Sequence, residues 1–471
     1  VIEDVCGETA CYLSHLYEAE TFVAARLEQL MGCQIKTELD MGETVSRIES
    51  AARLSYAPLQ REAVCAAANN PVMILTGGPG TGKTTVIQGM LELFSRMGLS
   101  VSLAAPTGRA AKRMSEFCGV EAATIHRMLE QDYTDGSGLP TFGKNEGNPL
   151  ETDVLIIDEM SMVDIMLMRA VLAALPTSCR LVMVGDSDQL PSIGAGNVLK
   201  DLIAADIITS IRLTEIFRQA QSSNIVVSAH AINRGEFPDF AGRDSDMFFL
   251  QRHDANSVIE TTVELCRDRL PKNMGIPASQ IQVLTPSRKY DVGTIILNRR
   301  LQDALNPASQ DKNEHRVGDK LFRVGDRVMQ IRNNYDLAWH NLDGADSGLG
   351  VFNGDIGEII AIDANVELLS VQYDERVVHY AFTMLCELEL AYAMTVHKAQ
   401  GSEFRAVVFA ALGGSDFLLH RSVLYTAITR ARSLLVLVSD KDTIKTMISN
   451  NRQRNRYTAL RYRIVTGLGG V

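Results

Sequence analysis

The sequence predicts an α/β protein of two doubly wound domains, each built on a parallel sheet, with a small antiparallel β-barrel inserted in the second. Three observations lead there. Short apolar runs alternate with longer helical stretches from 71 to 213, and again after 281. A glycine-rich segment, "GGPGTGKTT", stands where one such run passes into a helical stretch. Between 317 and 385 the rhythm changes to short alternating strands divided by glycine and charged turns.

In chain order, residues 1–50 carry helical periodicity. Leu13, Leu16, Val23, Leu27 and Leu30 recur at three- to four-residue steps with charges between them, as in a helix with one apolar face. The chain opens on valine, and this stretch is expected to be the helical remnant of a larger N-terminal domain. The first α/β domain spans 51–220, with strands "PVMILTG", "SVSLAAP", "DVLIIDE", "RLVMVGD" and "SIRLTE". These runs are too short for helices and lack strict alternation, which suits parallel strands buried on both faces. The stretch 131–150 interrupts the rhythm with four glycines, two prolines and few aliphatics, so a protruding loop or hairpin is expected. The second α/β domain takes 221–316 and 386–471, with strands "IQVLTPS", "AVVFAAL" and "LLVLVSD". The interval 317–385, holding "DRVMQIRNNY", "GDIGEIIAID", "ELLSVQYDE" and "RVVHYAF", suits the inserted barrel.

Composition bounds the function. The 471 residues, 46% hydrophobic and 22% charged, fit an ordinary globular protein of two to four domains. No apolar run reaches the roughly 18 residues of a membrane span, and no signal segment opens the chain. The eight cysteines form no CxxC pair and have no histidines at zinc spacing. They are expected to be small apolar fillers in a reducing cytosol, which makes the expected location cytoplasmic. The net charge of −11 argues against a uniformly basic surface but leaves room for a basic groove.

The chemistry begins at "GGPGTGKTT" (77–85), which fits G-x-x-x-x-G-K-[ST]. Its glycines let successive N–H groups curl toward a polyphosphate, and the helix N-terminus adds partial positive charge. Gly78, Pro79, Gly80, Thr81, Gly82, Lys83, Thr84 and Thr85 are therefore candidate nucleotide contacts. Lys83 would take the β- and γ-phosphates, and Thr84 would hold Mg²⁺. A glycine turn that binds nothing is the plain alternative, and the flanking strand and helix argue against it. "VLIIDEM" (154–160) supplies the acids: Asp158 can complete the Mg²⁺ shell and Glu159 can polarise the attacking water. An exposed Asp-Glu turn would be the better reading without the phosphate loop upstream.

"APTGRAAKRM" (105–114) puts Pro106 and Thr107 at the carboxyl edge of the sheet, with Arg109, Lys112 and Arg113 as a basic cluster. "ATIHRML" (123–129) adds Thr124, His126 and Arg127. Hydroxyls and cations of this kind suit a nucleic-acid backbone, and a solvated face beside a capped helix is the bland alternative. Arg218 in "LTEIFRQA" and Arg430 in "YTAITRARS" are candidates to neutralise charge during phosphoryl transfer, against surface salt bridging. In "YAMTVHKAQGSEF" (392–404), Thr395 and His397 could contact a strand, while Gly401 and Glu403 could face nucleotide; a structural histidine is the alternative for His397. "VGDSDQLPSIGAG" (184–196) ends a strand in acids and Gln189.

The ordered series Gln60 in "LQREAV", "GGPGTGKTT", "APTGRAAKR", "TIHRM", "IIDEMSM", "GDSDQLP", "FRQ", "TVHKAQGSEF" and "YTAITRAR" resembles superfamily 1 helicases, most closely the RecD-like 5′-to-3′ branch. "VFNGDIGEI" (351–359) is similar to the Src-homology-3-like barrel of stand-alone RecD-like helicases. The resemblance covers about 50–465. It implies two RecA-like domains forming a phosphate-loop motor, with ATP and Mg²⁺ in the cleft between them and single-stranded DNA across both. It implies that Gln60 reads adenine, that Arg218 and Arg430 reach the γ-phosphate, that Gln189 hydrogen-bonds it as an uncharged amide, and that Asn353 in the barrel contacts nucleic acid. The 131–150 excursion matches a hairpin pin that splits duplex. A monomer acting on single-stranded and 5′-tailed duplex DNA is expected, with recombination or repair proteins as partners. Two alternatives stay open: a motor subunit inside a recombination nuclease complex, and an RNA-directed helicase. The chain departs from the family in its short N-terminal part, in a longer 335–354 segment holding the only tryptophan, Trp339, and in a glycine-rich pin with one phenylalanine, Phe142.

Overall fold

The structure is a computed structural model and describes all residues except 36–38, 133–140, 218–221, 240–244, 345, 452–455 and 469–471. It divides into two units, Val1–Ser222 with Arg454–Val471, and Ser223–Gln453.

The first unit is built on six parallel strands. Their spatial order is Thr209–Leu213, Val72–Gly77, Arg180–Gly185, Val154–Ile157, Val101–Ala105, Ala122–Thr124. The central strands are buried throughout. Their side chains alternate between two cores: Leu155, Ile157, Leu181 and Met183 enter one, and Ile156, Val182 and Val184 the other. Both faces are covered, so the period-2 geometry leaves no polar alternation in the sequence.

The chain ends depart from the sequence expectation. Residues before 12 form a two-stranded hairpin, Ile2–Val5 with Glu8–Cys11, rather than a helix. The helix Ser14–Met31 uses the expected apolar stripe except for Leu13, which precedes it and is exposed; Val23, Leu27 and Leu30 lie in the first unit's own core. Leu460 and Ile464, from the helix Leu460–Leu468, join the same core. Residues 1–50, expected as a separate remnant, and 454–471, expected in the second domain, are thus both built into the first unit. An apolar stripe shows that a helix must be covered, but periodicity does not say by which sheet face. At 131–150 the base of a hairpin is present, Gln131 opposite Phe142 and Asp132 opposite Thr141. The tip expected between them falls at 133–140, outside the described residues.

The second unit holds five parallel strands in the order Met247–Gln251, Ala431–Ser439, Phe404–Ala410, Ile281–Thr285, Ala393–Thr395. It also holds a seven-stranded antiparallel sheet, ordered Ser347–Val351, Asn334–Asn341, Arg376–Ala381, Leu368–Tyr373, Ile356–Asp363, Arg327–Gln330, Leu388–Leu390. This sheet runs beyond residue 385. The long 335–354 segment proves to be its edge hairpin, and the guanidinium of Arg376 lies 5.4 Å from the Trp339 ring centroid. A buried carboxylate, Asp326, ties the insert to its host. It accepts from Gln302 Nε2 at 2.6 Å, Asn306 Nδ2 at 2.8 Å, Arg323 N at 2.7 Å and Tyr392 Oη at 3.0 Å.

All eight cysteines are unpaired, and only Cys179 and Cys266 are buried, while Cys6, Cys11 and Cys386 are exposed. The expectation of apolar fillers therefore fails for those three. Among the described residues, no helix is long and apolar enough to cross a membrane.

Candidate nucleotide and nucleic-acid site

Because the first unit's strands are parallel, all of them end on one edge of the sheet. The strand Arg180–Gly185 lies directly between Val72–Gly77 and Val154–Ile157. The segment carrying Gln189 therefore leaves the sheet between the phosphate loop and the acid pair. That is the switch-edge arrangement at which open α/β sheets bind ligands.

The phosphate loop turns through Gly80 and Gly82, with φ of 72° and 80°. At Gly82 a side chain would be strained twice: its Cβ would lie 2.3 Å from Gln60 Nε2, and the backbone is left-handed. Lys83 opens the helix Lys83–Arg96, and its ammonium donates to Gly77 O at 2.6 Å and Gly78 O at 3.1 Å. Thr81 Oγ1 donates to Gly78 O at 2.9 Å. Thr84 is exposed and Thr85 half-buried. Gln60 is buried and bridges two elements: its Oε1 accepts from Ala57 N at 3.2 Å, and its Nε2 donates to Thr81 O at 3.2 Å.

Asp158 and Glu159 follow the neighbouring strand. Asp158 Oδ1 accepts from Glu159 N at 2.8 Å, and Glu159 takes the left-handed φ of 54°. Arg113 Nη2 sits 2.9 Å from Glu159 Oε1 and 3.8 Å from Asp158 Oδ2. Burial raises the Asp158 pKa, the Glu159 charge raises it further, and Arg113 and Lys83 oppose both. The Lys83 charge thus reaches Asp158 across the strand between them. The basic cluster of the sequence reading splits here, since Arg113 belongs with the acids. Helical spacing turns Arg113 to a different side from Lys112, but nothing local in the sequence names its partner.

Asp186, almost fully buried, orients the segment in between. Its Oδ1 accepts from Asp188 N at 3.0 Å, and its Oδ2 accepts from Gln189 Nε2 at 3.4 Å. Asp188 pairs with Arg212 at 2.9 Å. The acids that end this strand in the sequence do not single out Asp186; its burial is visible only in the fold.

Pro106 and Thr107 end the next strand. Thr107 Oγ1 accepts from Ala110 N at 3.3 Å and caps the helix Gly108–Cys118; Thr124 Oγ1 accepts from Arg127 N at 3.1 Å. The capped-helix alternative is thus realised at both, but a hydroxyl that accepts from N–H keeps a proton to donate. Arg109 and His126 lie in the same two segments, both half-buried. Burial lowers the His126 pKa, with the Asp164 charge opposing.

In the second unit, Arg430 is 2% exposed, and its Nη1 donates to Ser402 O at 3.2 Å. Phe404 N donates to Arg430 O at 2.8 Å, and Glu403 Oε2 lies 3.5 Å from Arg432 Nε. The fold thereby joins "GSEF", with Gly401 at φ 71°, to "TRAR". Thr395 ends the edge strand Ala393–Thr395, His397 opens the short turn His397–Ala399 that follows, and Thr395 Oγ1 accepts from Lys398 N at 3.4 Å. Asn353 is exposed, and its N–H donates to Asn333 Oδ1 at 2.9 Å. Arg218 falls outside the described residues.

Three family descriptions match in order along the chain. They are an AAA domain over 55–255, the SH3 domain of ATP-dependent RecD-like DNA helicases over 297–373, and a UvrD-like helicase C-terminal domain over 390–438. The ATP-dependent RecD2 DNA helicase of Deinococcus radiodurans is 33% identical over 458 residues, covering 97% of this chain and 59% of that protein. The chain therefore spans about three fifths of that relative's length. The RecBCD enzyme subunit RecD of Mycolicibacterium smegmatis is 29% identical over 446 residues, covering 86% of this chain and 74% of that protein. A solved Pif1 helicase structure concerned with unwinding at forked double-stranded DNA aligns at TM-score 0.49 and 17% identity, covering 88% of this chain and 98% of its own. That likeness is too weak to bear on function. With the phosphate loop, the acid pair and the inserted antiparallel sheet in place, the chain is similar to the RecD-like helicases over almost its whole length.

Proposed function

We propose that this chain is an ATP-dependent DNA helicase motor, acting as a monomer, that moves 5′ to 3′ on single-stranded DNA and opens 5′-tailed duplex. The observation that carries the reading is the strand order, which sets Lys83, Gln189 and the Asp158–Glu159 pair along one sheet edge, close enough for the Lys83 charge to act on Asp158.

The residues fit Mg-ATP. A loop whose Gly82 leaves no room for a side chain, a lysine at the helix start and a carboxylate beside it are the donor set that a metal-bound triphosphate requires. Thr84 and Asp158 would hold Mg²⁺, which neutralises charge on the phosphate oxygens when bound. Lys83 compensates the β/γ charge. Glu159 polarises the attacking water, and Arg113 pairs with it at 2.9 Å. Gln189, aimed by Asp186, bonds the γ-phosphate without the repulsion a carboxylate would bring. Arg430 is the second unit's candidate for stabilising the transferred group, and Arg218 the first unit's; Gln60, Gly401 and Glu403 complete the nucleotide contacts. Pro106, Thr107, Arg109, Thr124, His126, Asn353, Thr395 and His397 are proposed on the DNA backbone, which makes binding sequence-independent and steeply salt-dependent.

Strand displacement on duplexes with 5′ or 3′ tails tests the reading, with Lys83→Ala as control. Unwinding from 5′ tails alone, lost in Lys83→Ala, is expected. Intact DNA-stimulated ATPase without unwinding would instead favour a motor subunit within a recombination complex; the RecD relative is named as a subunit of the RecBCD enzyme. Stronger stimulation by RNA than by DNA would move the substrate to RNA.

A further inference from the structure

The last segment of the chain returns to the first unit after the second is complete. The chain crosses between the units at 222–223 and again at 453–454. Three side chains then anchor the returning segment within the first unit. Arg456 Nη1 donates to Ser192 Oγ at 3.2 Å, Gly194 O at 2.6 Å and Gly196 O at 2.7 Å. Arg463 forks onto the Glu3 carboxylate at 3.0 Å and 2.6 Å, and its guanidinium lies 5.5 Å and 4.5 Å from the Tyr12 and Tyr17 ring centroids. Between these anchors, Thr458 stands against two acids. Its Oγ1 is 2.8 Å from Glu20 Oε1 and 3.0 Å from Asp201 Oδ2, and it accepts from Leu460 N at 3.3 Å.

The protons do not suffice for two carboxylates. A hydroxyl carries one proton and two acceptor sites. Leu460 N–H uses one acceptor site, so Thr458 can donate to one acid only. The other acid, at hydrogen-bond distance, meets a lone pair unless it brings a proton of its own. The surroundings decide which acid that is. Glu20 is buried, yet its Oε2 accepts from Ala459 N at 3.1 Å and lies 3.6 Å from Arg463 Nε. Asp201, in the helix Val198–Ala205, has Thr458 as its one side-chain hydrogen-bond partner among the described residues. The charged groups that face it are Glu20 on the N-terminal helix and Arg461 on the C-terminal helix, with Arg463 and Glu3 beyond Glu20. The proton therefore belongs on Asp201. Burial pushes the Asp201 carboxyl up to about 6; the Thr458 hydrogen bond and the Arg461 charge oppose this, and the Glu20 charge adds to it.

We infer that Glu20, Thr458 and Asp201 form a clasp closed by one shared proton, which holds the C-terminal segment on the first unit and slackens when Asp201 ionises. Slackening frees the anchored end of the second crossing between the units. The inference stands apart from the motor reading, since every group in the clasp belongs to the first unit. The sign follows from Asp201. A carboxyl raised in the docked state stabilises docking fully below the ordinary carboxylate range, and that contribution is lost as pH rises through about 6. Against the ordinary value of 3.8 for the released state, opening should rise about tenfold between pH 5 and pH 8.

Hydrogen–deuterium exchange of the full chain, read on 456–468 and corrected for the intrinsic pH dependence of exchange, tests it. In the wild type, opening of this segment should be about tenfold more frequent at pH 8 than at pH 5, while the central strand Arg180–Gly185 stays protected at both. Asp201→Asn sets an uncharged, permanent donor against Thr458 Oγ1, so that variant should stay closed at both pH values. A wild-type segment that opens equally at both, or an Asp201→Asn chain that opens with pH as the wild type does, overturns the clasp. A rise matched by Arg180–Gly185 reports unfolding of the whole unit and overturns it as well.

Discussion

Replacing Arg113 with alanine tests what its charge contributes to the acid pair. Side-chain exposures are 23% for Arg113, 15% for Asp158 and 7% for Glu159, so all three charges are largely out of water. At an effective dielectric constant of about 20, unit charges at the 2.9 Å Arg113–Glu159 separation attract by about 6 kcal/mol before desolvation. Desolvation offsets much of that, and removing one partner of a buried pair costs about 3–5 kcal/mol because the other is left uncompensated. Arg113 keeps some water contact, so the lower end, about 3 kcal/mol, is expected at neutral pH. The sign with pH follows from Asp158, whose pKa is raised by burial and Glu159 against Arg113 and Lys83. A raised carboxyl favours its protonated form in the folded chain, so its stabilising contribution is complete below the unfolded pKa and is lost as pH rises through the folded one. Deleting Arg113 pushes that pKa higher still. The variant's extra instability should therefore grow with pH, and the acid limb of its ATPase profile should move to higher pH. Turnover at neutral pH should fall by roughly tenfold or more. Phosphate release measured across pH, with urea unfolding at the same pH values, checks both. Arg113→Lys should fall between the two. An acid limb that stays put, or moves down, would refute the role given to Arg113.

Other changes probe neighbouring parts of the site. Gly82→Ala sets a Cβ 2.3 Å from Gln60 Nε2 and 3.0 Å from Phe217 Cε2 at a left-handed φ; the backbone alone costs about 1–2 kcal/mol, and nucleotide titration should show affinity at least roughly tenfold weaker. Unchanged affinity would mean the loop is not read this tightly. Gln189→Ala should keep nucleotide binding but impair DNA-driven turnover or unwinding, and survival of both would deny Gln189 a coupling role. Replacing 133–140 with a short turn should spare DNA-stimulated ATPase and cripple unwinding; equal loss of both would argue against a pin.

Much of the first unit's site could be read along the chain, because its parts are local. The phosphate loop needs glycines, a lysine and a hydroxyl in one turn, and all occupy 77–85. The acid pair and Gln189 each follow an apolar run that ends in polar residues, and parallel strands must end on a common edge. The insert is visible as short alternating strands, but its edge hairpin is harder to read, since only Leu337 of Asn334–Asn341 is buried and the partner strand Ser347–Val351 is interrupted by two glycines. The strand Ala393–Thr395 is hidden for another reason: at three residues it is too short to stand out from its surroundings.

The sequence by itself determined which residues could do phosphate chemistry, the order in which they come, and the two-sheet class that carries them. These depend on spacing within a few residues of one another. Only the tertiary structure decided the partners that lie far apart in the chain. Arg113 reaches the acid pair rather than solvent. The N-terminal helix and the C-terminal helix close the same core. Arg456 holds a loop more than 250 residues upstream. The physical reason is common to all three: a charged fork or an apolar stripe states what kind of partner it needs, and sheet topology chooses which of many suitable partners is brought to it.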